Sequence, residues 1–185
     1  MKKIIAFILT VCILLFSLAG CSGSMTSAEK FLLAVKKMDF SAMKNEMVPD
    51  ETFGSLYLKL DTVPAEDSVS ALRDLYSLVQ YSMGEITEES ADEKTVEITL
   101  KTPDIKRICE QTRAKVMASS DSAENIVGAM ISDGSIAKTM MTEMTVSVKM
   151  TKTDGEWKIP FGDKENKTFA DALAIDDMMD FFVKY

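Results

Sequence analysis

The sequence predicts an α+β domain. N-terminal helices pack on a curved antiparallel sheet of about four strands, a helical insertion separates two hairpins, and a helix closes the chain. Three observations carry this. Apolar residues recur at helical spacing through Phe31, Leu32, Val35 and Met38, and again from Val69 to Val79. The period drops to two at Val96-Ile98-Leu100 and at Met144-Val146-Val148-Met150. No strand-helix-strand alternation calls for a parallel sheet.

The first helix starts at Thr26 or Ser27, either of which can cap it. A short second helix covers Ser41 to Met47 and stops before Pro49, and Asp50 to Leu60 reads as another short helical piece. Pro64 suits a helix first turn, with Glu66 and Asp67 complementing the dipole. Val69, Leu72, Leu75, Tyr76 and Val79 form that helix's buried stripe. Gly84 to Glu89 reads as a strand, ESADEK as its hairpin connection, and Thr95 to Lys101 as the return strand that Pro103 ends. Helices follow at about 104–119 and 122–131, and SDGS at 132–135 breaks the run. Met144 to Thr151 is the clearest strand. Asp154-Gly155 is a hairpin turn, and Trp157, Ile159 and Phe161 alternate on the return. Thr168 with Asp171 resembles a capping box for a last helix from Phe169 to about Val183.

The N-terminus carries a different signal. Lys2 and Lys3 precede an apolar run from Ile4 to Phe16. This is a charged n-region and a short h-region, the pattern of a secretory signal, and it falls short of the ~20 apolar residues a membrane span requires. The run ends in Leu18-Ala19-Gly20-Cys21 and turns polar at once with Ser22-Gly23-Ser24. That ending resembles the lipobox of bacterial lipoproteins, with all four positions matched. The resemblance implies cleavage between Gly20 and Cys21 and lipidation of the Cys21 thiol by diacylglycerol. It also implies two or three acyl chains of the palmitate kind, where one chain would hold only marginally. The expected layout is a leader at 1–20, a lipidated Cys and short tether at 21–25, and one domain at 26–185. The expected location is the outer, extracytoplasmic face of the cell membrane.

Removal of the leader, which carries Lys2 and Lys3, leaves 165 of the 185 residues and takes the net charge from −8 to −10. That is enough chain for a real core, and the acidity argues against nucleic acid as a partner and against a polybasic grip on anionic lipid. Cys12 leaves with the leader and Cys21 is lipidated, so Cys109 stands alone and no disulfide framework is expected. Cys109 shares a helical face with Ile105, Ile108, Thr112 and Val116, which reads as a small buried hydrophobe.

The order of elements, closing on DGEWKIP, resembles the nuclear transport factor 2-like, or cystatin-like cone, fold. Small Gram-positive lipoproteins with this look end in a W-K-I strand and an N-x-x-F-x-D-A-L helix. Here these are Trp157, Lys158 and Ile159, then Asn166, Phe169, Asp171, Ala172 and Leu173. The resemblance spans 26–185, is specific only from Trp157 onward, and does not provide for the helices at 104–131. It implies an apolar pocket at the open end of the sheet, with Tyr76, Met144, Trp157 and Phe161 as candidate lining or core residues.

Catalytic chemistry is poorly provided for. The chain has no His, which removes the usual general base, the usual zinc ligand and every Ser-His or Cys-His pair. Ser27-Ala28-Glu29-Lys30 and Ser41-Ala42-Met43-Lys44 match S-x-x-K, but both serines sit where helix caps belong, and S-D-N and K-T-G are missing. Met140, Met141 and Met144 could suit Cu(I), yet their spacing is that of core filler. The acidic runs lack calcium-loop spacing. No catalytic residue, metal or cofactor is therefore expected. The expected function is a non-enzymatic, lipid-anchored binding or interaction module, with the membrane reached through Cys21. Its partner would be a small apolar ligand, another envelope protein, or a second copy in a homodimer. The alternative is a cone-fold enzyme, isomerase-like or hydrolase-like, using carboxylate and Tyr chemistry.

Overall fold

A computed structural model describes residues 25–52, 54–62 and 64–184. The leader, Gly20 and Cys21 lie outside them. The described chain runs α1 (Ser27–Lys37), α2 (Phe40–Asn45), α3 (Leu56–Lys59), α4 (Glu66–Ser77), β1 (Gln80–Glu88) and β2 (Glu93–Pro103). Then come α5 (Ile105–Ala118), α6 (Ala123–Ser132), α7 (Ser135–Thr139), β3 (Met141–Thr153), β4 (Glu156–Lys158), a 3-10 turn (Lys164–Asn166), α8 (Lys167–Leu173) and α9 (Ile175–Lys184).

The fold class is the expected α+β. The four strands form one antiparallel meander in the order β1-β2-β3-β4. β2 and β3 pair along their length, from Glu93 opposite Thr151 to Pro103 opposite Met141, so the two expected hairpins share one sheet. The helices α5 to α7 occupy the β2–β3 connection.

Alternation decides which face is covered. Val96, Ile98 and Leu100 of β2 and Val146, Val148 and Met150 of β3 are buried. The opposite face carries Glu97, Thr99, Glu143, Thr145 and Ser147, and the Thr99 and Thr145 hydroxyls lie 3.1 Å apart on it. Helices α1, α4 and α8 cover the buried face with Phe31, Leu32, Leu72, Leu75, Phe169 and Leu173. In β1 the register shifts between Met83 and Ile86. Gly84 sits in that shift, where a Cβ would meet Glu97 Cβ and O at 3.1 Å. Asp154 and Gly155 both have positive φ, +52° and +84°, the geometry of the tight hairpin turn their sequence signals.

Several local expectations need correction. Thr26 caps α1, accepting from Glu29 N, while the Ser27 hydroxyl donates to Trp157 O at 2.5 Å. Asp39, not Ser41, caps α2. Helix α4 starts at Glu66 and buries Ser68 more deeply than Val69, because the Ser68 hydroxyl finds the Glu124 carboxylate on α6 at 2.8 Å. β1 begins at Gln80, four residues before the expected start. The SDGS break lasts only to Gly134, after which α7 forms. Thr168 caps nothing. Asn166 stands at the α8 N-cap without a side-chain cap bond, and Asp171 pairs with Lys167. The last helix is two helices, divided at Ala174, whose φ is +43°.

The largest departure is the return strand. β4 stops at Lys158. Ile159 turns to the 46–48 segment, donating to Glu46 O at 2.8 Å and accepting from Val48 N at 3.0 Å. Past that point the edge of β3 is satisfied by a side chain. Asn166 is fully buried. Its Oδ1 accepts from Lys149 N at 2.8 Å, and its Nδ2 donates to Lys149 O and Pro160 O, each at 3.0 Å. The amide does for Lys149 what a peptide group of a longer β4 would do.

Candidate functional site

Beyond the point where Ile159 leaves the sheet, Phe161 and Gly162 reach a cavity of about 180 Å³. Met47, Leu56, Tyr57, Phe161, Leu173 and Ile175 give it apolar walls, and Asp50 and Asp176 bring carboxylates to it. Phe161 is fixed by ring packing. Its centroid lies 4.7 Å from Phe31 and 5.6 Å from Phe169. Tyr57 comes from the short helix α3, and Lys44 Nζ lies 4.1 Å from its ring centroid while pairing with Asp61 at 2.5 Å. Gly162 closes up on Asp50, since a Cβ there would lie a tight 3.2 Å from Asp50 Oδ2.

The electrostatics at Asp50 run against a general base. Hydrogen bonds from Thr52 hold Asp50 below the usual carboxylate range, so it is an ionised acceptor. The Asp176 side chain is 45% exposed and faces Lys59 at 3.9 Å. A carboxylate base is tuned toward neutrality by a pKa raised from its usual value, and Asp50 is held the other way. Asp177, next in the chain, is raised by desolvation and by Asp176, but it does not line the cavity.

A second, more polar cleft of about 540 Å³ lies at the start of α1. Met25, Lys30, Lys94, Trp157 and Lys158 line it, with Glu46 and Glu156. Lys94 Nζ sits 4.1 Å from the Trp157 ring centroid. Lys158 Nζ donates to Asn45 O and pairs with Glu156 at 2.9 Å.

The four candidate lining residues are not brought to one place. Phe161 lines the small cavity and Trp157 the polar cleft. Tyr76 is fully buried, its hydroxyl donates to Leu173 O at 2.8 Å, and burial pushes its phenol well above its ordinary value. Met144 is half-buried on β3 opposite Leu100 and packs against the core. Cys109 is half-buried with its Sγ 3.7 Å from Met178 Sδ, and burial pushes its thiol up to about 11, away from nucleophilic chemistry at neutral pH. Met47 and Tyr57 were not singled out as lining residues by their spacing. They share one cavity with Phe161, just past the point where Ile159 leaves the sheet.

No protein-family model matches the chain, and no curated protein matches it. Among solved structures, a candidate lipoprotein (YcdA) of Bacillus subtilis is 17% identical, with a TM-score of 0.39, over 79% of this chain and 57% of that one. The chain thus spans just over half the length of that neighbour. Among the described residues no helix is long and apolar enough to cross a membrane.

Proposed function

We propose that this chain is a lipid-anchored, extracytoplasmic interaction module of the cell envelope, held by Cys21 and presenting one folded domain at 26–185. The Leu18-Ala19-Gly20-Cys21 ending carries the anchoring. The described fold supports a short tether, since α1 is capped at Thr26, five residues after Cys21. A cone-like reading of the domain draws support from the antiparallel sheet covered on one face by helices.

The Tyr57–Phe161 cavity favours a partner's side chain as occupant. Ligand pockets for drug-sized molecules run to about 300–1,000 Å³, and this cavity holds about 180 Å³. Apolar walls beside carboxylates suit one apolar anchor residue flanked by a cation, the way a buried anchor seats at a protein interface. The enzyme alternative has one observation behind it, the sharing of this cavity by Tyr57, Asp50 and Asp176, and the lowered pKa of Asp50 weighs against it.

Anchoring is tested by Cys21→Ala in the full chain. The variant should retain its leader or leave the membrane fraction, and an unchanged membrane-bound mature mass would refute the lipobox. Native mass spectrometry of residues 24–185 tests the occupant. A clean protein mass supports the partner reading. A retained small molecule released on denaturation would replace it with a ligand-binding role.

A further inference from the structure

We propose that the polar cleft at the start of α1 is the face the domain lays on anionic phospholipid headgroups. The inference rests on lipid anchoring at Cys21. Cys21 and Met25 are four residues apart. A fully extended chain spans about 3.3–3.6 Å per residue, so the lipid holds Met25 within roughly 14 Å of the acylated sulfur's own backbone. Whatever surrounds Met25 therefore meets the bilayer first, and Met25 lines this cleft.

Its composition fits that position and runs against the rest of the molecule. The mature chain is strongly acidic, yet Lys30, Lys94 and Lys158 converge here. Two carboxylates oppose them, Glu46 and Glu156, and Glu156 is engaged by Lys158 at 2.9 Å. Glu88 stands opposite Lys94 across the β1–β2 pair, and the three ammonium groups gather on the side of the domain nearest the tether. Basic residues near an anionic leaflet are attracted within a Debye length of its surface. Trp157, the one tryptophan of the chain, stands half-buried among these lysines with Lys94 over its ring. An aromatic ring with a polar N–H beside lysines is the side-chain set enriched at the headgroup level of membrane proteins. The surface is also firm. Ser27 Oγ donates to Trp157 O, and Lys158 Nζ donates to Asn45 O, so α1, α2 and β4 present it together.

The single tryptophan makes the test direct. The full-length acylated protein is incorporated into phosphatidylcholine–phosphatidylglycerol vesicles, with and without bromine on the acyl chains near the carbonyl. Co-flotation reports anchoring, and the ratio of Trp157 emission in the two vesicle types reports contact. Co-flotation with emission at least halved by bromine supports the proposal. Lys30→Glu and Lys94→Glu together should then restore most of the emission ratio while co-flotation and circular dichroism stay unchanged. Co-flotation with a ratio near one, or a quenched ratio that the double variant leaves unmoved, overturns this orientation and leaves the anchor standing. Loss of co-flotation overturns the anchoring reading and this inference with it.

Discussion

Asn166→Asp should lower the unfolding free energy by about 3 kcal/mol or more at neutral pH, since a buried donor is lost and a charge is buried in its place. The wild-type Nδ2 serves two carbonyls, of Lys149 and Pro160, and a carboxylate offers them only repulsion. The deficit should depend on pH with a definite sign. Burial and two facing carbonyls raise the folded pKa of the introduced acid above its unfolded value of about 3.9. A group raised in this way favours the folded state below the unfolded pKa and opposes it as pH climbs through the folded one. Urea denaturation should therefore show the gap to wild type narrowing from pH 7 toward pH 4. Asn166→Ala should lose about 2–3 kcal/mol with no comparable narrowing, because it removes the three bonds without adding a titrating group. An Asp variant within ~0.5 kcal/mol of wild type at pH 7 would show that the amide is not what satisfies the β3 edge.

Phe169→Ala should cost about 3–5 kcal/mol, the range for a buried phenylalanine reduced to alanine. Phe169 is fully buried, 5.6 Å from Phe161 and 6.0 Å from Phe31 by ring centroids, and it joins α8 to β2 and β3. Small domains hold only about 5–15 kcal/mol in total, so the variant should unfold at a much lower urea midpoint. Phe169→Leu, which keeps most of the volume, should cost under about 1.5 kcal/mol. An equal loss for both variants would point to an effect on the backbone of α8 instead of a cavity.

The helices and inner strand faces were legible because burial follows period. Val96, Ile98 and Leu100 alternate in the sequence and are all buried in the fold. Asp154-Gly155 was legible because few residue pairs accept two positive φ values. The end of β4 was not, because Ile159 and Phe161 continue the alternation of Trp157 after the chain has left the sheet. What draws Ile159 away is a pair of backbone bonds to the 46–48 segment, more than a hundred residues distant, and backbone bonds leave no mark on residue type. The break at Ala174 was equally silent, since alanine is the best of helix formers and gives no notice of a left-handed turn. The site shared this blindness. By sequence Phe161 is an aromatic in a strand pattern, and Met47 and Tyr57, which share its cavity, come from segments whose spacing signals only short helices.

The buried amide of Asn166 also bears on how copies of the molecule coexist. Molecules confined to a membrane plane meet one another far more often than in solution, and open strand edges are templates for joining chain to chain. Past Lys158 the β3 edge at Lys149 is already occupied from within. The other rim, β1, is interrupted by its register shift and carries Glu85 and Glu88 outward. Neither rim offers a long, flat, neutral strand. On the anchoring proposed above, neighbouring copies in a crowded leaflet would find no such edge at which to join into fibres.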